Sequence, residues 1–277
     1  MSSKSELTAI RDEPDPILRA RQASALINEY QQQSLELARL RREAIEEAAT
    51  TRGLTFTQVA KELGLSKGRI TQIRQSAPPV ERALFGMGPV TVAVPIRPVP
   101  DRDLGMIAAE DTRSAEAITE ALRKLSLDVE HYEIPASGEL DFDGDAVIIC
   151  GPKSSAEAAE LIAADPHFTF APDRDGRWSI RETPTERTYE SPLDNDPETH
   201  RDVAYLSVRT TDDSRRLLVA GVHAIGSLGA ITYVINHLSE LYQRSKMDAN
   251  LSTVIETAFD GLTIREAERI SGIRVWP

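Results

Sequence analysis

The chain has 277 residues, 40% hydrophobic and 27% charged, which is typical of a globular protein with room for about two domains. It contains no apolar run of membrane-spanning length and no apolar leader, so we expect a cytoplasmic protein without a signal peptide or membrane partner. The single cysteine, Cys150, excludes an internal disulfide and a zinc site built from several cysteines.

The net charge of −12 is unevenly distributed. Residues 1–85 carry 13 Lys and Arg against 11 Asp and Glu, whereas the remaining residues carry 19 against 33. Residues 51–77 hold five basic residues and one acidic residue. Because salt screens charges more than about 8–10 Å apart, a local basic patch can bind phosphate even on an acidic protein.

The first part of the chain is predicted to be helical. We expect residues 1–15 to form a flexible tail and a helix to run from Ile17 to about Ala49, with Asp15 as its N-cap and Pro16 in its first turn. Apolar and small residues recur along this helix every three or four positions. The spacing fits packing against the following helices, and it also fits a self-association seam. The seam comprises Ala23, Leu26, Tyr30, Gln33, Leu37, Leu40 and Ala44.

Two short helices are predicted next, separated by a tight turn. Ala60 is small enough for a close helix crossing, Gly64 tolerates the positive φ of the turn, and Ser66 caps the second helix. Ile70 and Ile73 anchor that helix on the core. We expect Phe56, Val59, Leu63 and Leu65 to add to the apolar contacts, with Leu65 filling the turn.

The segment TQVAKELGLSKGRITQI, residues 57–73, resembles the helix-turn-helix of sigma-factor region 4 and related regulators. The preceding LARLRREAIEEAATTRGL is similar to the helix that leads into that motif. No segment resembling the promoter −10-binding sigma regions precedes it, so the likeness does not extend to a sigma factor. The resemblance implies that the second helix enters the major groove of double-stranded DNA and that the protein binds as a homodimer.

The residues of that helix have side chains suited to DNA. We assign Lys67, Arg69 and Gln72 to base edges, because Arg suits guanine and Gln suits adenine. Thr57 and Arg74 are better placed for phosphate. Ser66 and Thr71 complete the predicted DNA-binding set.

After a predicted linker at 81–89, strands and helices alternate through residues 90–277. This order predicts a three-layer α/β domain with a largely parallel sheet. We expect a helix at 114–125, a hairpin around Asp175-Gly176 and a long helix at 230–242. The whole resembles the Rossmann-type ligand modules fused to bacterial helix-turn-helix regulators. The expected fold is therefore a helical domain at 16–80 followed by a larger Rossmann-like α/β domain.

Two loops follow predicted strands of this domain and precede helices. The ends of parallel strands and the N-termini of helices are where such sheets bind polar or anionic ligands. Tight strand–helix connections with capping serines would give the same sequences. The candidate ligand residues are Gly151, Lys153, Ser154 and Ser155 in the first loop, and Gly221, His223, Gly226, Ser227 and Gly229 in the second.

The sequence therefore predicts a DNA-binding transcription regulator that senses a small polar or anionic ligand, without a cofactor or metal. It favours binding over catalysis. One alternative is an enzyme acting on a nucleotide or sugar, with His223 and Glu110 or Asp111 as acid and base. Another is an interaction domain without a ligand. The histidines show no metal-binding pair, and Asp141, Asp143 and Asp145 lack the bidentate acid of a calcium loop.

Overall fold

The structure is a computed structural model that describes residues 3–100, 104–211, 214–245 and 249–277. The chain divides into two compact units, Met1–Val80 with Met87–Pro89, and Glu81–Gly86 with Val90–Pro277. The first is helical, and the second combines a mixed sheet with helices. The predicted α/β class with a helical N-terminal region is confirmed.

Four helices are described in the first unit: α1 (Ser3–Asp12), α2 (Pro16–Thr51), α3 (Phe56–Glu62) and α4 (Lys67–Ser76). Helix α2 begins as predicted, since Asp15 accepts a hydrogen bond from the Ile17 N–H at 2.8 Å and Pro16 follows the cap. Helix α1 lies within the segment that the sequence predicted as a flexible tail.

The core of the first unit is small. It consists of Ile45, Val59, Ala60, Ile70 and Ile73, with further apolar side chains packed around it. The exposed leucines beside the turn are Leu63, at 53%, and Leu65, at 38%. Neither side chain belongs to this small core, so the expectation that Leu63 and Leu65 add to its apolar contacts is wrong.

The second unit is built on strands β1 (Val90–Pro95), β2 (Val129–Ile134), β3 (Asp145–Ile149), β4 (Phe168–Pro172), β5 (Trp178–Glu182), β6 (Arg187–Glu190), β7 (Arg201–Thr210), β8 (Arg215–Gly221), β9 (Asn250–Asp260), β10 (Thr263–Arg269) and β11 (Arg274–Trp276). The main sheet has the order β10-β9-β7-β8-β3-β1-β2, with β11 beside β9. Strands β4, β5 and β6 form a separate antiparallel sheet around the predicted hairpin.

The main sheet is mixed rather than largely parallel. Strands β2, β1, β3 and β8 run parallel to one another. Strand β7 is antiparallel to β8 and β9, and β10 and β11 are antiparallel to β9. The prediction is therefore right for one half of the sheet and wrong for the other.

Helices α5 (Ala109–Lys124), α6 (Ala156–Ala163), α7 (Ala224–Asn236) and α8 (Leu238–Arg244) complete the described secondary structure, with short 3-10 turns. Alternate residues of β1 pack on opposite faces of the sheet. Val92 joins the core beneath α5 and α7, whereas Ala93 joins the core beneath α6 and the small sheet. Apolar side chains are thus buried on both faces, as in three-layer proteins.

Three predicted boundaries differ from the structure. Helix α5 begins five residues before Ser114, so Glu110 and Asp111 lie in its first turn. Helix α7 begins at Ala224 instead of residue 230 and ends at Asn236, where the chain restarts as α8. The predicted linker contributes Leu84 and Phe85 to the core of the α/β unit.

Among the described residues, none of the helices combines the length and apolar character that crossing a bilayer requires.

Candidate functional site

The first candidate site is the outer face of α4. Ser66 caps the helix by accepting a hydrogen bond from the Arg69 N–H at 3.1 Å. Ile70 and Ile73 face the core and are almost fully buried. Because residues three or four positions apart share a face of a helix, the other side of α4 is turned outward. That side exposes Lys67, Arg69, Thr71 and Gln72.

The turn before α4 has the geometry that its sequence requires. Gly64 adopts a φ of +65°, a conformation that residues with a Cβ rarely occupy. Thr55 and Gln58 form a capping box at the start of α3. The Leu65 N–H donates to the Ala60 carbonyl at 2.8 Å and closes the turn. The end of α3 and the start of α4 are therefore both held by hydrogen bonds on either side of the turn.

The polar side chains on α4 differ in what they contact. Arg69 donates to the Gln72 amide oxygen at 2.7 Å, which holds the two side chains side by side. The Thr71 hydroxyl donates to the Lys67 carbonyl of its own helix at 3.2 Å. Lys67 forms no ion pair with any described residue. Thr57, in the first turn of α3, is also exposed.

Arg74 lies apart from this group. Its Nε atom is 3.2 Å from a carboxylate oxygen of Glu46 on α2, and its guanidinium stacks over the Phe56 ring at 4.0 Å. Arg74 therefore ties α4 to α2 and α3. These contacts compete with the phosphate contact that the sequence suggested.

The second candidate site is a cavity of about 310 Å³ in the α/β unit. It lies where the parallel strands β1, β3 and β8 end, the edge at which open α/β sheets bind ligands. Its polar and charged side chains come from four stretches of the chain. They are Arg97, Glu110, Asp111, Lys153, Ser154, His223 and Ser227.

Six of the nine predicted ligand residues line this cavity: Gly151, Lys153, Ser154, Gly221, His223 and Ser227. The structure thus brings the two predicted loops together. Ser155 lies outside the cavity, where it caps α6 by accepting from the Ala158 N–H and donates to the Gly138 carbonyl.

Gly226 and Gly229 also lie outside the cavity, on the buried side of α7. A Cβ at Gly226 would overlap the Asp202 carboxylate, and one at Gly229 would overlap the Thr257 side chain. These glycines therefore let α7 pack closely on β7 and β9. Glycines at these positions allow close approach of a ligand or of another part of the backbone, and the group that approaches them is the protein's own sheet.

An acid–arginine pair occupies the β1 side of the cavity. Arg97 donates to the Asp111 carboxylate at 2.7 Å, and the Asp111 side chain is only 3% exposed. Burial raises the pKa of Asp111 from 3.8 to about 6, although the positive charge of Arg97 opposes the shift. Sequence reasoning missed Arg97, because a pairing across 14 residues depends on where β1 ends and α5 begins.

Lys153 and His223 lie on the β8 side. The Lys153 ammonium donates to the Val222 carbonyl at 2.6 Å and so links the two loops. Burial lowers the pKa of Lys153 from its usual value. His223 Nε2 lies 3.0 Å from a carboxylate oxygen of Asp194, which belongs to the 3-10 turn Pro192–Asp194.

Two backbone N–H groups at the N-terminus of α7 are satisfied by the protein itself. The buried Asp202 carboxylate accepts from the backbone N–H of His223 at 3.0 Å and from that of Gly226 at 2.9 Å. The Ser227 hydroxyl accepts from the Gly221 N–H at 2.9 Å. Burial raises the pKa of Asp202. An internal carboxylate therefore occupies the position at which an anionic ligand would otherwise bind.

Cys150 also lines the cavity. Burial raises the pKa of its thiol to about 12, so the sulfur stays protonated near neutral pH and is a poor nucleophile. No group of three or more His, Cys, Asp or Glu side chains in the described part of the chain is arranged to hold a metal ion.

Comparison with known proteins adds no identification, since no family model, curated protein or solved structure matches the chain.

Proposed function

We propose that this protein is a cytoplasmic, sequence-specific DNA-binding transcription regulator whose α/β unit senses a small polar or anionic ligand. The observation that carries the proposal is the outer face of α4, where the side chains suited to base edges are exposed while Ile70 and Ile73 are buried. In this proposal α3, the turn at Gly64 and α4 act as a helix-turn-helix, and α4 enters the major groove.

The individual roles follow from the contacts of each side chain. Arg69 and Gln72 are held together and present donors and an acceptor to neighbouring bases, and Lys67 contacts a base or phosphate beside them. Thr57 contacts the backbone at the start of α3. Arg74 acts through Glu46 and Phe56, which keep α4 at its angle to the other helices.

The ligand-sensing part of the proposal is supported by the cavity. Its position at the ends of β1, β3 and β8 is that of the ligand site in Rossmann-like domains, and its volume of about 310 Å³ suits a small molecule. A ligand that binds one arrangement of the protein better than another would shift its affinity for DNA.

We also propose that the protein acts as a homodimer through α2. Leu37 and Leu40, which belong to the predicted seam, are exposed on this 36-residue helix. Exposed leucines three residues apart share a face of a helix and suit a helix–helix seam. Two copies would present two α4 helices to successive half-sites of an operator.

The experiment that tests the DNA proposal is a selection of genomic fragments with the full chain at low salt, followed by gel shifts of the selected fragment. The Arg69→Ala variant is expected to bind more weakly by about 1–3 kcal/mol, roughly 5- to 150-fold, because it removes a base contact. Arg41→Ala is the control, because it removes another exposed positive charge, on α2.

Selection of no fragment, or equal losses for Arg69→Ala and Arg41→Ala, would count against α4 as the reading helix. Circular dichroism of both variants shows whether a loss of binding reflects unfolding.

A further inference from the structure

The charges around the cavity are unfavourable for an anion. Its cations are Arg97 and Lys153, and Arg97 is already paired with Asp111. The Lys153 ammonium interacts electrostatically with the carboxylates of Asp194 and Asp202. Four carboxyl groups, those of Glu110, Asp111, Asp194 and Asp202, thus surround two cations and one histidine. A phosphate or carboxylate would add another negative charge to this surplus.

Three of the backbone N–H groups that usually attract anions are also engaged. At α7 those of His223 and Gly226 donate to Asp202, and at α6 that of Ala158 donates to Ser155. The sequence pattern of two loops at helix N-termini therefore suggests an anion site, but the protein fills the position with its own oxygen atoms.

The remaining polar groups suit a ligand that both donates and accepts hydrogen bonds. Glu110 lines the cavity, and its carboxylate forms no hydrogen bond or ion pair with any described residue. Arg97 also lines the cavity and engages Asp111 through Nη2, and no described residue accepts a hydrogen bond from its Nη1. An uncharged hydroxyl group can accept from such a donor and donate to a carboxylate.

We propose that the cavity binds an uncharged, hydroxyl-rich ring, either a free sugar or the sugar of a nucleoside, with ring hydroxyls donating to Glu110 and accepting from Arg97. Lys153 donates one of its three N–H groups to the Val222 carbonyl, and the other two are available to a ligand oxygen. None of the described lining residues is Phe, Tyr or Trp, and the His223 ring is held by Asp194, so we assign recognition to the sugar hydroxyls.

This inference deepens the ligand-sensing part of the proposed function, and it is tested without DNA. The full chain is titrated calorimetrically with ribose, adenosine, ribose 5-phosphate, adenosine monophosphate and inorganic phosphate. The uncharged compounds are expected to bind at least about tenfold more tightly than their phosphate esters, because the ester adds charge beside the carboxylates. Both ribose and adenosine are expected to bind, and the tighter of the two shows whether the site takes a free sugar or the sugar of a nucleoside. Binding of adenosine without ribose would place recognition in the base and overturn the inference.

Glu110→Ala is expected to weaken binding about tenfold, through loss of the carboxylate acceptor. Glu116→Ala is the matched control, because Glu116 is an exposed glutamate on the same helix outside the cavity. Tighter binding of either phosphate ester, competition by inorganic phosphate, no binding of any compound, or equal effects of the two variants would overturn the inference. DNA binding measured by gel shift without ligand does not depend on any of these results. Failure of the sugar-site inference is therefore distinct from failure of the DNA proposal.

Discussion

The buried carboxyl of Asp111 leads to a pH-dependent prediction. Its pKa is about 6 in the folded protein, against an ordinary value of 3.8, so between these values the folded state holds a proton that the unfolded state has lost. The stabilisation from this proton is therefore complete below about pH 4 and is lost as the pH rises through about 6.

We predict that Asp111→Asn, which cannot lose this proton, becomes more stable relative to the wild type as the pH rises through that window. The change amounts to at most about 3 kcal/mol, which is the free energy of a shift of two pKa units. Urea unfolding at several pH values measures it. Asp143→Asn, which changes an exposed carboxylate, is the control. A difference in unfolding free energy between Asp111→Asn and the wild type that stays constant across this pH range would contradict the prediction.

Two arginines on α4 show how far residue identity can predict a role. Arg69 and Arg74 are equally suited to DNA by charge, and both lie outside the apolar pattern. The structure leaves Arg69 exposed beside Gln72 and places Arg74 against Glu46 and Phe56. The partners of Arg74 lie 28 and 18 residues away in the sequence, so local spacing does not reveal them.

At the level of helices, two glycines four residues apart are expected to respond to the same substitution in opposite ways. Gly64 has a φ of +65°, where a Cβ costs about 1–2 kcal/mol. Gly68 lies in α4, and a Cβ there would meet only the Ser66 hydroxyl, at 3.9 Å. Gly64→Ala should therefore destabilise the α3–α4 pair, whereas Gly68→Ala should stabilise it by roughly 0.5 kcal/mol.

Amide hydrogen exchange within α4 of the full chain reports this difference locally. Exchange should become faster in Gly64→Ala and slower in Gly68→Ala. Gly64→Asn should fall between Gly64→Ala and the wild type, since asparagine tolerates a positive φ better than alanine. Changes of the same sign in both alanine variants would show that the turn does not limit the stability of these helices.

Helix α7 shows why its start could not be predicted from the sequence. Gly226 and Gly229 are poor helix formers, and a glycine-rich stretch after a strand is typical of a ligand loop. Here the loss in helix propensity is offset by close packing on Asp202 and Thr257, which a sequence pattern does not show. By contrast, the start of α2 was predictable, because Asp15 and Pro16 act locally.

At the scale of the whole molecule, the proposed dimer makes a direct prediction. Leu37 is 66% exposed in the middle of α2, so Leu37→Asp should leave the fold intact and convert a dimer into a monomer. Light scattering after size exclusion measures the mass. Leu104→Asp, which changes an exposed leucine of the α/β unit, should remain dimeric. A monomeric wild type, or a dimeric Leu37→Asp variant, would rule out α2 as the dimer interface.

Most strand positions of the sheet were predictable, but the direction of its second half was predicted wrongly. Alternating buried residues identify a strand without giving its direction. Loop length carries that information, since parallel neighbours need a crossover of a dozen or more residues. Only four residues separate Thr210 of β7 from Arg215 of β8, and two separate Asp260 of β9 from Thr263 of β10. These short connections require antiparallel pairs.

The burial of Leu84 and Phe85 determines where the protein can be divided for study. A fragment starting at residue 90 would lack both side chains and leave an apolar hole in the core of the α/β unit, favouring aggregation. A fragment starting at residue 80 would keep them, but it would carry Met87–Pro89 away from the helical unit to which they belong. No single cleavage point between residues 80 and 90 keeps both units whole. A fragment of the helical unit and a fragment of the α/β unit must therefore overlap in sequence.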